Sequence, residues 1–314
     1  MQSTIVLPEP STTRLFPGGS AGAPTSGRTP FGPFSLAWTE SAGPRDAPRV
    51  LLLHGIYAGA HGYEWRELVP HLSGLRVRVP DLLGAGRSDR PDLAFTPSVV
   101  RACVEALIRD CGPDVHVVAS SLTGAYALRA VAAGAPVASL TLVTPSGLGE
   151  PREHRRGRGA AIAYWLARHT PLGAAMILGL TSRRSVTWFQ RNKTYGDPDA
   201  LTPDEVDETR RAGRLPGAQH LQLAFVCNQL SIDVDPADVA AIQPLVVWAE
   251  GQEFVDQAES LAWERAGADV VRVPSGLPQV EEPADLAVRI ADHCTQEEAR
   301  RATSPAHDDQ EAHR

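Results

Sequence analysis

The chain has 314 residues, 43% of them hydrophobic, and a formal net charge of −7. This is enough apolar material for one large core with an insertion, and the acidic balance argues against nucleic acid as a partner. A single lysine, Lys193, stands among 30 basic residues, the mark of a high-GC genome more than of charge chemistry. No apolar run is long and uninterrupted enough to span a bilayer, and no basic start with an apolar core marks a leader, so the expectation is a cytoplasmic protein without a membrane partner.

In chain order, residues 1–30 are rich in Gly, Pro, Ser and Thr and predict an irregular arm, and 31–42 an opening hairpin. The run Val50-Leu51-Leu52-Leu53-His54 reads as a buried strand ending at Gly55, followed by a helical stretch over 63–72. Residues 76–80 form the next strand, and Asp81-Leu82-Leu83-Gly84-Ala85-Gly86-Arg87-Ser88 its loop. Residues 115–120 then run as a strand through a sharp turn at Ser121 into a helix over 122–135.

A serine at such a turn projects its hydroxyl above the sheet, and the N–H of Leu122 opens the helix toward a developing oxyanion. The G-x-S-x-G pattern reads here Ala119-Ser120-Ser121-Leu122-Thr123, with Gly124 one place late. Another strand is predicted at 139–144, and residues 148–236 then break the rhythm with a basic run over 152–158 and an apolar, aromatic stretch around Tyr164, Trp165 and Ile177. This segment is expected to form a helical cap. Strands are predicted again at 244–248 and 269–273, and 295–314 is polar enough to predict a disordered tail. The core would comprise 31–147 and 237–294. Its alternation of strands and helices predicts an α/β fold with a mostly parallel, doubly wound sheet. Cys103, Cys111, Cys227 and Cys294 lack metal-ligand spacing and read as free thiols; no metal or cofactor is expected.

The His54-Gly55 strand end, the D-x-x-G-x-G-x-S loop and the turn at Ser121, in this order and spacing, resemble the α/β-hydrolase superfamily over residues 31–294. The resemblance implies an α/β-hydrolase fold, an oxyanion hole built from the N–H groups of Ile56 and Leu122, and a cap that shapes a pocket for an apolar small molecule. It also implies a triad, and there the chain departs from the pattern. Where the superfamily carries G-E-x-D, this chain reads Ala249-Glu250-Gly251-Gln252, with the Gln252 amide in place of the carboxylate. Where G-H-x-P-x-x-E-x-P carries the histidine, residues 274–283 run Pro-Ser-Gly-Leu-Pro-Gln-Val-Glu-Glu-Pro, lacking a histidine between Gly276 and Leu277.

A serine hydroxyl is a weak nucleophile without an adjacent base, so a routine serine hydrolase is not expected. Of the ten histidines, His220 is the candidate base. It closes Pro216-Gly217-Ala218-Gln219-His220, which resembles a segment found with a His-less ending in a bacterial branch of hydrolase-fold proteins. His54 reads as structural or as part of the oxyanion loop, Lys193 and Tyr195 as an exposed polar turn, and Glu250 and Glu253 as alternative carriers of the missing charge.

Three functions stay open. One is elimination of a carboxylate such as acetate from an acylated apolar substrate, a chemistry that resembles the tailoring of tetronate polyketides in actinobacterial antibiotic pathways. Another is an ester or thioester hydrolase with a relocated Ser121/His220 pair, and the third a non-catalytic ligand-binding protein.

Overall fold

The chain enters with an antiparallel hairpin, β1 (Thr25–Phe31) and β2 (Phe34–Glu40). This computed structural model describes residues 23–148, except 42 and 45, and residues 158–303. After the hairpin come the short aliphatic strands β3 (Arg49–Leu53), β4 (Arg76–Pro80), β5 (Val115–Ser120), β6 (Ser139–Val143), β7 (Leu245–Ala249) and β8 (Asp269–Val273). They form one eight-stranded sheet in the order β1-β2-β4-β3-β5-β6-β7-β8, parallel from β4 onward, with β2 antiparallel to β4. Strands β5, β6 and β7 are buried at every residue because helices cover both faces.

Helices α1 (Pro97–Cys111) and α2 (Ser121–Ala132) follow β4 and β5. Five more lie between β6 and β7: α3 (Arg158–His169), α4 (Pro171–Leu180), α5 (Arg183–Phe189), α6 (Pro203–Gly213) and α7 (Gln219–Val226), with α8 (Pro236–Ile242) leading into β7. The last three are α9 (Glu259–Arg265), α10 (Pro278–Glu281) and α11 (Pro283–Thr303). Leu51, Leu53, Val117, Trp248 and Trp263 anchor the core on one face of the sheet, and Val50, Leu52, Trp65, Val247 and Ile290 on the other.

Each strand expected from 50 onward is found within one residue of its predicted ends. Three local expectations are corrected. The irregular arm was expected to reach residue 30, yet β1 begins at Thr25. Its glycine and proline mask the strand signal, but an edge strand tolerates Pro30, and a β-carbon at Gly27 would lie 2.3 Å from the Trp38 ring that fills its place. Residues 1–22 lie outside the described residues. The stretch 63–72 is two separate 3-10 turns, Gly62–Trp65 and Val69–Leu72, not one helix. The tail expected from 295 is helical to Thr303, where Arg301 reaches Asp114 at 3.1 Å; residues 304–314 lie outside the described residues, as does most of the basic run. All four cysteines are free, and burial pushes the thiols of Cys103 and Cys294 up to about 12.

Candidate active site

The site begins with a strained residue. Ser121 follows the last residue of β5 and opens α2 with φ +53°, a conformation that a non-glycine residue rarely adopts. The strain places it at the carboxyl end of the central strand, where parallel sheets bear their ligands. Gly124 sits one turn into α2, where a β-carbon would lie 3.2 Å from the Pro145 side chain. Thr123, out of place in the motif, is fully buried, and its hydroxyl donates to the His54 carbonyl at 2.7 Å, tying the helix to the end of β3.

That tie fixes the strand end beside the turn. The β-carbon position of Gly55 is 3.4 Å from Ser121 Cβ. Among the described residues, the N–H groups of Ile56 and Leu122 donate to no protein acceptor. Such free donors at a helix start and a strand end are what an oxyanion requires. His54 lies beneath them with no exposure. Its Nδ1 pairs with the Gly55 carbonyl at 2.7 Å, so that nitrogen bears the proton, while Nε2 accepts from the Leu82 N–H at 3.0 Å. Burial pushes its pKa down to about 4, so the ring is neutral and structural. Asp81 closes its own loop by accepting from the N–H groups of Gly62 and Arg87, and Gly86 is required there because a β-carbon would meet that carboxylate at 2.3 Å.

The other half of the expected triad is built differently. Gln252 is buried, and its amide donates to the Gly276 carbonyl at 3.0 Å, a bond no carboxylate could make. The space above Gly276 is closed by backbone: a β-carbon would lie 2.1 Å from the Thr194 carbonyl oxygen and 2.4 Å from the Gly196 nitrogen. The inserted helices thus press their 194–197 turn against the loop where a histidine would stand. Glu281 fastens the two together, accepting from the N–H groups of Gly276, Leu277 and Asp197 at 2.7, 2.6 and 2.6 Å.

His220 engages Arg168 at 3.3 Å through Nδ1 and Gln219 at 3.3 Å through Nε2, with Asp92 at 3.5 Å. Burial, reinforced by Arg168, lowers its pKa against the pull of Asp92. Among the described residues no imidazole hydrogen bonds to Ser121. Lys193 pairs with Glu253 at 2.8 Å on an open face. Tyr195, expected in an exposed turn, is instead buried, with its hydroxyl donating to Glu205. Glu205 also takes the buried Arg66 guanidinium, joining the insertion to the core.

Sequence reasoning missed Glu64. This carboxylate is buried behind the turn, accepting from the Gly55 N–H at 2.9 Å, from Gln279 at 3.1 Å and from the Ser120 hydroxyl. Burial raises its pKa in spite of these donors. The available signal was an acid set beside Trp65 in a stretch that the apolar pattern marked as packed.

An elbow of this kind, on this sheet order, defines a hydrolase fold. The chain belongs to the alpha/beta hydrolase family, whose sequence model matches residues 50–290. A lipase, LipV of Mycobacterium tuberculosis, is 40% identical over 105 residues, covering 33% of this chain and 40% of the lipase. A haloalkane dehalogenase of Bradyrhizobium diazoefficiens is 29% identical over 229 residues, 68% of this chain and 70% of its own. Among solved structures, a 2-hydroxy-6-oxo-6-phenylhexa-2,4-dienoate hydrolase from a Rhodococcus species superposes with a TM-score of 0.68 at 20% identity, covering 86% of this chain and 98% of that one.

Proposed function

We propose that this hydrolase-fold enzyme acts on an acylated apolar small molecule without an imidazole-activated serine, expelling a carboxylate such as acetate by elimination, as in the tailoring of tetronate polyketides. The observation that supports the reading is the close contact of the 194–197 turn with Gly276, next to the place where the family pattern would carry its histidine, while the Ile56 and Leu122 N–H groups stay free. Elimination needs a base for an acidic C–H and donors for the enolate oxygen; the C–O bond then breaks and its electron pair leaves on the carboxylate. Ser121 is not attacked or acylated in this sequence and only positions the substrate.

The base in this reading is His220, whose pKa burial lowers toward the neutral, proton-accepting form; this role requires the substrate to displace the Arg168 contact at Nδ1. A second reading, hydrolysis of an ester or thioester through Ser121, is favoured by relatives named as a lipase and a dienoate hydrolase. Mass spectrometry of products from an O-acetylated β-hydroxy carbonyl compound separates the two. Elimination gives the unsaturated carbonyl compound and acetate, and hydrolysis gives the free alcohol; binding without turnover would leave a ligand-binding protein. Ser121→Ala keeps part of the rate in the first case and ends it in the second. Should His220→Ala retain turnover, the base passes to Glu64, and Glu64→Gln decides it.

A further inference from the structure

Helix α4, Pro-Leu-Gly-Ala-Ala-Met-Ile-Leu-Gly-Leu, has no polar side chain, yet only Gly173 and Ile177 are buried. A helix apolar all round belongs in a core or against another apolar phase. Its neighbours continue the surface: Leu172 on α4 is 70% exposed, Ile162 and Trp165 on α3 are 60% and 58% exposed, and Trp188 on α5 is 59% exposed. Helices α3 and α5 both pack on α4, so these exposed side chains are carried by adjoining helices. Single apolar side chains are ordinary on a protein surface, but a wholly apolar, mostly exposed helix flanked by helices with two exposed tryptophans marks a contact.

The charge of the same segment identifies the partner. Residues 154–196 contain eight arginines and lysines and no aspartate or glutamate, in a chain whose net charge is −7. Arg168, Arg183, Arg191 and Lys193 meet carboxylates from elsewhere in the chain, and Arg184 is exposed with no ion pair among the described residues. His169 stacks on Trp165 with ring centroids 5.0 Å apart. A two-fold contact between copies would set this cationic segment against itself. Negative lipid headgroups complement it, and tryptophan rings favour the headgroup level.

We propose that the α3–α4–α5 face docks on the surface of an anionic lipid bilayer. No described helix is long and apolar enough to cross a membrane; surface docking asks only for an apolar face with cations around it. The proposal does not rest on the reaction proposed above, although a docked insertion would lie close to a source of apolar substrate.

The test is co-sedimentation of the full chain with vesicles of phosphatidylcholine alone and of equal parts phosphatidylcholine and phosphatidylglycerol. Binding is expected to the mixed vesicles only, and to weaken as salt is raised. The double variant Trp165→Ser/Leu172→Ser should bind about tenfold or more weakly, from the lost apolar burial, and Arg184→Ser roughly fivefold more weakly. Both replace exposed side chains, so an unchanged melting temperature shows that folding is intact. Failure of the parent to sediment with mixed vesicles would overturn the proposal, as would variants that bind like the parent. A parent that is dimeric in solution, ignores vesicles and becomes monomeric in the double variant would assign the face to a second copy.

Discussion

The turn at Ser121 and the loop at Gly276 are the two halves of the candidate site, and they are built in different ways. Around Ser121 the backbone keeps a strained serine, two free N–H groups and a strand end held by Thr123. Around Gly276 the space beside the chain is filled by the 194–197 turn, and Gln252 and Glu281 are committed to holding that contact. The first half is made from residues close in sequence on buried strands. The second is a meeting of loops, which can be reassigned without touching the sheet.

The largest expected effect contrasts a glycine from each half. Gly276→Ala forces a methyl group into backbone at 2.1 Å and should cost about 3 kcal/mol or more in chemical denaturation. Gly55→Ala meets nothing nearer than 3.4 Å and should cost less than about 1 kcal/mol. Equal costs would remove the contrast in packing.

The next test concerns pH on the Ser121 side. His54 has a folded pKa of about 4 against an ordinary 6.5. Between these values the unfolded chain binds the extra proton, so stability falls as pH drops through that window, by about 3 kcal/mol in total. His54→Gln should flatten that part of the pH–stability curve; an unchanged slope would locate the titration elsewhere.

On the Gly276 side, Gln252→Asp sets a buried carboxylate against the Gly276 carbonyl and should destabilise by about 2 kcal/mol. Combining it with a histidine inserted after Gly276 should not raise turnover of p-nitrophenyl acetate, because the 194–197 turn packs tightly on Gly276 and leaves the loop little room to shift. A clear rise in that assay would show that the turn yields easily. The smallest effect is expected for Thr123→Gly, which restores the second glycine of the family motif. It should lower stability by about 1 kcal/mol through loss of the buried hydrogen bond to His54, and a more stable protein would show that the hydroxyl is dispensable.

What the sequence by itself determined is whatever depends on neighbours along the chain. Runs of branched aliphatic residues bounded by glycine placed β3 to β8, and the turn at Ser121 was legible because a strand must end where a helix begins. The replaced carboxylate at Gln252 and the missing histidine after Gly276 were legible as departures from a pattern. The tertiary structure alone decided what replaced them. That Gly196 lies against Gly276, 80 residues away, that Glu64 meets Gln279, 215 residues away, and that Tyr195 is buried on Glu205 are contacts that only folding brings about. Hydrophobic periodicity records which face of an element is buried, but not which polar group it meets there. His220 shows the same limit: an imidazole beside an apolar helix reads as a candidate base in sequence, and only the fold shows that its ring lies against Arg168, Gln219 and Asp92.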